Sequence, residues 1–594
     1  MIFIKYMRIK IVKIQLFIFL SLIAGTILSN EAKQPNIVLL LADDLGFTDL
    51  GAYGSEISTP NIDSLANSGR IFNNYHTASS CAPTRAMLMS GLSSHKAGLG
   101  NMPESLTPDM QGSPEYSGFL RLELPTIADH LKESGYRTYI SGKWHLGQTK
   151  EKLPSSRGFD RTFILGDTGA DNWEQKPYLP IYDKANWYAD GEEIELPEDF
   201  YSSKTLVDKT IEFIDSEKDK PFFAYVAFQA VHIPVQAPKE FTDRYQSTYV
   251  DGWHKLRKQR YKGAIKAGII QEGLTLEKMS TTDDWNSLSA EEQRYEAKSM
   301  AVYAGMIEAM DFHVGRLIAH LKSKGQFDNT LFVFTSDNGA EPSDVLHKST
   351  PAPLRFYFDW WLSRTNYSTA YENLGEKGSY NMIGSSFASA SVSPLSFYKF
   401  FNGEGGMRVP LIFSGPKVLV DQSVSGEFSF VTDLVPTLLE FAGAKPIPGA
   451  EGKSLLPILA GQNETIRDPS EGVGFELGGN SSYFQDEYKL VLNRKPIGDS
   501  EWHLYNIKSD PTEQHDLSLT RPALFDELKT GYDKFANEHG VLTMSDGYDQ
   551  RLQLARNQIR KTFIAFLPYI AVILILLSLI IYTFIRVRRK QRTA

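Results

Sequence analysis

Four short apolar runs in this 594-residue chain each lead into a group of polar residues, and that pattern restricts the fold more than any other feature. Asn36–Ala42 (NIVLLLA), Thr138–Ile140, Phe222–Phe228 (FFAYVAF) and Leu331–Thr335 (LFVFT) are continuous rather than alternating, as in strands covered on both faces. Helical patterns separate them. The clearest is Ala290–Lys324, where Ser289 and Glu292 form a capping box and Gly325 ends the run. Met300, Tyr303, Ile307, Met310, Val314, Leu317 and Leu321 recur along it at three- and four-residue spacing, giving one core-facing stripe. Strands alternating with helices predict an α/β chain with a large mixed, mostly parallel sheet flanked by helices. Sheets of that kind bind ligands beyond the carboxyl ends of their strands.

The residues at those ends therefore carry the functional signal. Asp43-Asp44-Leu45-Gly46 follows the first run and Ser141-Gly142-Lys143-Trp144-His145 the second. His232 comes four residues after the third, and Ser336, Asp337, Asn338 and Gly339 follow the fourth. Singly, Asp-Asp-x-Gly and Asp-Asn-Gly are good turn sequences, and a strand-end Lys or His is usually a surface residue. Together, three carboxylates and an amide oxygen make a hard-oxygen site suited to calcium or magnesium rather than zinc. The basic loops beside it could hold an anion bridging to that metal.

Cysteine occurs once, which excludes an intrachain disulfide and a Cys-cluster metal site. That residue, Cys81, heads the segment Cys81-Ala82-Pro83-Thr84-Arg85-Ala86-Met87-Leu88-Met89. Pro83 suits a first helical turn, so Cys81 is expected just ahead of a helix N-terminus, where backbone N–H groups favour an anion. Arg85 is within reach of the same position. A buried free thiol is the plain alternative.

Both ends read as membrane-directed. Residues 1–29 carry Lys5, Arg8, Lys10 and Lys13 and then an apolar run, the form of a secretory signal peptide. Small residues at 25–29 offer cleavage but no clean A-x-A site, so an uncleaved anchor stays open. Phe563–Ile585 is uncharged and long enough to span a bilayer. Arg586, Arg588, Arg589, Lys590 and Arg592 follow it as a basic cytoplasmic tail (586–594), with the body exported to the periplasm, the lumen or the exterior. The whole chain has a formal charge of −9. Without residues 1–29 and 551–594, 49 bases face 71 acids, a net of −22 that argues against a nucleic-acid partner.

Cys81-x-Pro83-x-Arg85 and the helix after it resemble the signature of the formylglycine-dependent sulfatases of the alkaline-phosphatase-like superfamily. TRAMLMSG and HKAGLGNM are similar to bacterial arylsulfatases in particular. Ordered matches run from about Pro35 to Leu517: DDLG, SGKWHLG, VHIPVQAP, TSDNGA, YKFFNGEGGMRVP and WHLYNIKSDPTEQHDL. The resemblance implies an enzyme that cleaves a sulfate monoester. Cys81 would be converted to Cα-formylglycine by a formylglycine-generating enzyme during or after export. One hydroxyl of the hydrate would attack sulfur, and the other would expel sulfate. Asp43, Asp44, Asp337 and Asn338 would hold one divalent cation, calcium before magnesium, and Asp337 would take the attacking proton. Arg85, Lys143 and His145 would orient the diol, with His145 a candidate base for elimination. His232 and Lys399 would bind sulfate oxygens and serve the leaving oxygen. Lys377 is a rival to Lys399.

The resemblance implies a catalytic domain (35–465) and a C-terminal antiparallel subdomain (466–545), and the hydropathy pattern adds a tether (546–562) and a transmembrane helix (563–585). Two alternatives stay open: a phosphonate monoester or phosphodiester hydrolase with the same site, and a surface binding protein with unmodified Cys81. The acidic body weighs against long, highly sulfated polymers as substrate. Tyr357–Ser386, rich in aromatic residues, either shapes the entrance or packs as a surface segment. Asn366, Asn463 and Asn480 fit the N-glycosylation pattern.

Overall fold

The computed structural model describes residues 34–217, 219–420, 423–463 and 465–592. The expected signal peptide lies outside them. The four apolar runs are strands β1 (Asn36–Ala42), β2 (Arg137–Lys143), β3 (Phe222–Ala227) and β4 (Thr330–Ser336). They pair in parallel in the order β4-β1-β3-β2, at the centre of a ten-stranded sheet. Parallel Arg161–Leu165 extends the sheet beside β2, and antiparallel Leu411–Ser414 lies beside β4. Apolar side chains of these strands are buried on both faces, which is why their sequences do not alternate.

Register carries the site. β1 and β4 pair residue for residue, ending at Ala42 opposite Ser336, so Asp43 and Asp337 leave the sheet side by side. β2 runs further than its apolar core suggests and includes Ser141, Gly142 and Lys143. Gly142 has φ +113°, and a Cβ there would lie 1.8 Å from the Ala227 carbonyl oxygen. Only glycine lets β2 close on β3 at this point and deliver Lys143.

Helix α1 (Cys81–Ser90) begins at Cys81 itself, one step earlier than the proline suggests, and every residue of it is buried. Helix α2 (Ala290–Ser323) has the expected Ser289–Glu292 capping box and buried stripe. Its middle, however, is buried all round. The short helix Lys239–Thr242 covers the second face so closely that a Cβ at Gly305 would lie 2.8 Å from the Thr242 nitrogen. The first part of the aromatic segment lies in helix α3 (Ala352–Arg364), and the rest runs through turns to a helix at Gly384–Ser391.

Strands β5 (Gly472–Leu477), β6 (Asn480–Gln485), β7 (Tyr488–Leu492) and β8 (Trp502–Asn506) form an antiparallel meander, with α4 (Pro522–Glu538) against it. Asn480 is buried in β6 and donates to the Phe400 carbonyl at 2.9 Å, so it is closed to glycosylation in the folded chain. The Gly-Glu-Gly-Gly-Met-Arg segment forms one helical turn, Glu404–Met407, rather than the simple turn its glycines suggest. Its reason is electrostatic. Fully buried Glu404 meets His76 Nε2 at 3.0 Å, Lys489 Nζ of β7 at 2.9 Å and Arg408 Nη1 at 3.3 Å. Lys489 also meets Glu513 at 2.9 Å. This buried ion cluster clamps the small sheet to the body.

Residues 550–562, read as part of a tether, are the opening turns of one long helix, α5 (Gln550–Arg592). Gln550, Gln553, Ala555 and Gln558 are buried against the body. Asn557 Nδ2 donates to the carbonyls of Glu104 (2.9 Å) and Leu106 (3.0 Å), and Lys561 Nζ to that of Ile181 (2.6 Å). Past Thr562 the helix is exposed, and it is long and apolar enough to cross a membrane.

Lys489→Met leaves two buried carboxylates without their shared cation, which costs about 3–5 kcal/mol. Denaturant unfolding is expected at a clearly lower midpoint, and Lys489→Met with Glu404→Gln should recover part of the loss. An unchanged midpoint in the single variant would remove the clamp from the account.

Candidate active site

The strand ends and α1 converge on one buried cluster. Asp43 and Asp44 sit on a loop pinned from three sides. Asp43 N donates to the Ala230 carbonyl at 2.8 Å, Asp44 N to Asp337 Oδ1 at 3.2 Å, and Leu45 N to Ser336 Oγ at 3.0 Å. Asp44 (φ +65°) and His145 (φ +58°) both hold left-handed backbone conformations, a strain of about 1 kcal/mol or more each that surrounding contacts must maintain. Cys81 Sγ, at the start of α1, lies 3.5 Å from Asp43 Oδ1 and 3.7 Å from Asp44 Oδ1.

Cations surround these carboxylates. Lys143 Nζ meets both Asp43 oxygens, at 2.9 and 2.7 Å. Arg85 Nε donates to Asp337 Oδ2 at 2.9 Å, and its Nη1 to the Lys143 carbonyl at 2.8 Å. Lys399 Nζ bridges Asp44 and Glu341, at 2.8 Å from each. Lys377 lies elsewhere, half-exposed and 3.6 Å from Glu174, so Lys399 is the lysine of this cluster. His232 Nδ1 faces its neighbour's carbonyl, Ile233 O, at 2.6 Å, which turns Nε2 toward Asp44 at 3.7 Å. His145 is set apart: its Nε2 faces Glu104 at 3.1 Å, and its Nδ1 has no hydrogen-bond partner among the described residues.

The energetics follow from burial. Burial pushes Asp43 up to about 8, with Asp337 and Asp44 adding to the rise against Lys143 and Arg85. Burial also opposes charge on Asp44, yet Lys399, His232 and Lys143 outweigh it and hold that carboxyl below the usual range. Burial raises the Cys81 thiol well above its ordinary value and lowers the His232 imidazole well below its own. An unmodified Cys81 is thus a neutral thiol and a poor nucleophile.

These residues fit a hard divalent cation. One oxygen from each of Asp43, Asp44 and Asp337 lies, with Cys81 Sγ, within a 4.8 Å group. The side-chain oxygen of Asn338 is buried with no hydrogen-bond partner among the described residues, while its nitrogen donates to Asp44 Oδ1 at 2.7 Å. Asp43, raised first by burial and further by Asp337 and Asp44, gains from an added positive charge here. The donor set is all oxygen apart from Cys81, which suits calcium or magnesium.

The sequence reading missed Glu341, Glu104, Tyr178 and Tyr182. Glu341 was findable, four residues past Asp337 in the same segment. Glu104 orients His145 and accepts from Tyr182 Oη, and Tyr178 stands edge-on to His232 with ring centroids 4.8 Å apart. Nothing in local pattern marks these three, because long-range folding alone brings them to the site.

The sequence pattern of the family described as Sulfatase matches residues 35–444, and that of N-sulphoglucosamine sulphohydrolase, C-terminal, matches 396–530. An uncharacterized sulfatase of Schizosaccharomyces pombe is 36% identical over 87% of this chain and 96% of its own length. An arylsulfatase of Klebsiella aerogenes is 34% identical over 74% of this chain and 93% of its own. The solved structure of Ps i-CgsB in complex with k-i-k-neocarrahexaose superposes with a TM-score of 0.60 at 25% identity, covering 88% of this chain and 98% of that one. A strand-end acid cluster ringed by cations, on a sheet shared with these proteins and within a family match across most of the body, leads to one conclusion: the chain belongs to the sulfatase family and is an enzyme that hydrolyses sulfate esters.

Proposed function

We propose that the chain is a membrane-anchored sulfatase that works through a Cα-formylglycine at position 81 and one divalent cation, calcium before magnesium. A single observation carries this reading: Cys81 Sγ lies against two carboxylates of a three-acid cluster that Arg85, Lys143 and Lys399 surround. Counted formally, Asp43, Asp44, Asp337 and Glu341 against Arg85, Lys143 and Lys399 leave −1, and a divalent cation turns this to +1. That sign suits an anionic ester.

When bound, the cation would polarise a sulfate oxygen and the attacking hydroxyl. Asp43, Asp44, Asp337 and Asn338 would hold it. Arg85 and Lys143 would orient the side chain at 81 through their ties to Asp337 and Asp43. Asp337 would take the proton of the attacking hydroxyl. Lys399 and His232, on the Asp44 side, would bind sulfate oxygens and stabilise the leaving oxygen. His145, held by Glu104, would act as base when the sulfated residue 81 collapses by C–O cleavage. That route explains the use of an aldehyde hydrate rather than serine, since a serine sulfate would need a second attack at sulfur. A formylglycine-generating enzyme would have to act on Cys81 before folding, because the native thiol is buried. The body would lie on the exported side of the membrane, with α5 as anchor and residues 586–594 cytoplasmic.

Mass analysis of the peptide spanning Cys81, taken from the native host, is expected to find CHO in place of CH2SH; an intact thiol throughout would overturn the proposal. Lys399→Ala should lower kcat for nitrophenyl sulfate by about 10²–10³-fold, the scale for losing one preorganised charge stabiliser. Lys377→Ala should leave it near wild type, and equal losses would undo the assignment of Lys399. Chelator treatment is expected to lower both turnover and the thermal midpoint, with added calcium restoring both. Protein that keeps its midpoint and turnover through chelation does not use the cation.

A further inference from the structure

Helix α3 has two unlike faces. Phe358, Trp361 and Leu362 turn inward and pack with Tyr178, Ile233 and Leu554 of α5. On the outside, Phe356 is 75% exposed and Trp360 37%. A large aromatic pair left in water needs a reason.

The outer face is continuous with the apolar stretch of α5. Tyr357 Oη lies 2.7 Å from Thr562 Oγ1, the residue just before that stretch begins. One turn further in, the Trp360 and Phe566 rings stand 6.3 Å apart between centroids. Thr562 to Phe566 spans about 6 Å of helix, so Trp360 sits within the first ~6 Å below the start of the uncharged segment. Arg364 lies over the Trp360 ring at 5.8 Å, and Arg556 and Arg560 are exposed on the turns of α5 that precede the segment. Aromatic rings at the boundary, with Arg556 and Arg560 on the turns above it and Arg364 against the Trp360 ring, match the composition of a bilayer surface, where Trp and Tyr concentrate and basic side chains meet phosphate.

We infer that α3 is a membrane-interface helix whose outer face, Phe356 and Trp360, lies in the headgroup–acyl boundary of the bilayer that α5 crosses. The inference rests on the reading of α5 as a membrane span. It gives the body a second attachment besides α5, through the wall that also holds Tyr178 against His232.

The test uses the full-length chain reconstituted in phosphatidylcholine vesicles. Native Cys81 is buried, so an introduced cysteine is the accessible thiol. Phe356→Cys, Leu574→Cys in the span and Asp328→Cys at the amino end of β4 are each labelled with an environment-sensitive nitrobenzoxadiazole dye. Vesicles carrying a nitroxide near the top of the acyl chain are expected to quench the dye at 356 about twofold relative to 328, the depth an interfacial helix reaches. The dye at 574 should be quenched more by a nitroxide deep in the chain. Quenching at 574 with none at 356 above the level at 328 would overturn the inference and leave the span standing. Absence of quenching at 574 would overturn the span, and the inference with it.

Discussion

Burying three carboxylates within reach of one another is the constraint on which the rest of this structure depends. Asp43, Asp44 and Asp337 repel at short range in a medium that screens poorly, and no apolar packing offsets that. The chain answers with rigid placement of opposite charge. Lys143 arrives at the end of a strand, Arg85 from the first turns of a buried helix, and Lys399 from a loop fixed by its own backbone bond to Ala340. Each is itself too buried to be stable alone. Acids and bases are therefore mutually obligatory, and loss of any one member exposes the remainder.

The second consequence is architectural. Side chains can be held to such tolerances only by elements with few degrees of freedom, and adjacent parallel strands meet that need. In-register pairing of β1 with β4 sets Asp43 beside Asp337, and the bonds from Asp44 N to Asp337 and from Leu45 N to Ser336 hold the two loops together. A second ion cluster, around Glu404, ties the meander to the body, so the C-terminal strands support the loop that carries Lys399. Electrostatics at the centre and electrostatics at the seam thus share one logic: each buried charge stays only because its partner comes from a distant part of the chain.

Much of this was legible in the sequence, for physical reasons. Continuous apolar runs announced strands covered on both faces, and Ser289 with Glu292 announced the start of α2. Asp43, Asp44, Lys143, His232, Asp337 and Asn338, all at strand ends, converge in one place, whereas His145 stands apart beside Glu104. Legibility failed where neighbours in space are strangers in sequence. Glu104 reaches His145 from a loop with no periodicity, and the surround of α2 depends on a four-residue helix whose contribution no pattern reveals. Glu404 looked like part of a glycine turn because the cations that justify its burial lie as far away as Lys489. The short chain before the apolar segment read as a tether because its polar glutamines and Asn557 suggest solvent, whereas Asn557 donates to the Glu104 and Leu106 carbonyls and Gln550 to the Asn101 side chain.

That last feature would change how a membrane-seated enzyme meets its substrate. A loose linker lets a catalytic body sample a volume set by contour length. Here the helix leaves the body without a break, and from Gln550 to Thr562 it spans only about 20 Å. With the span seated in a bilayer, the height of the cleft above the lipid is fixed by covalent geometry. An enzyme so held would act within a fixed layer above the lipid and meet only esters that come to that height.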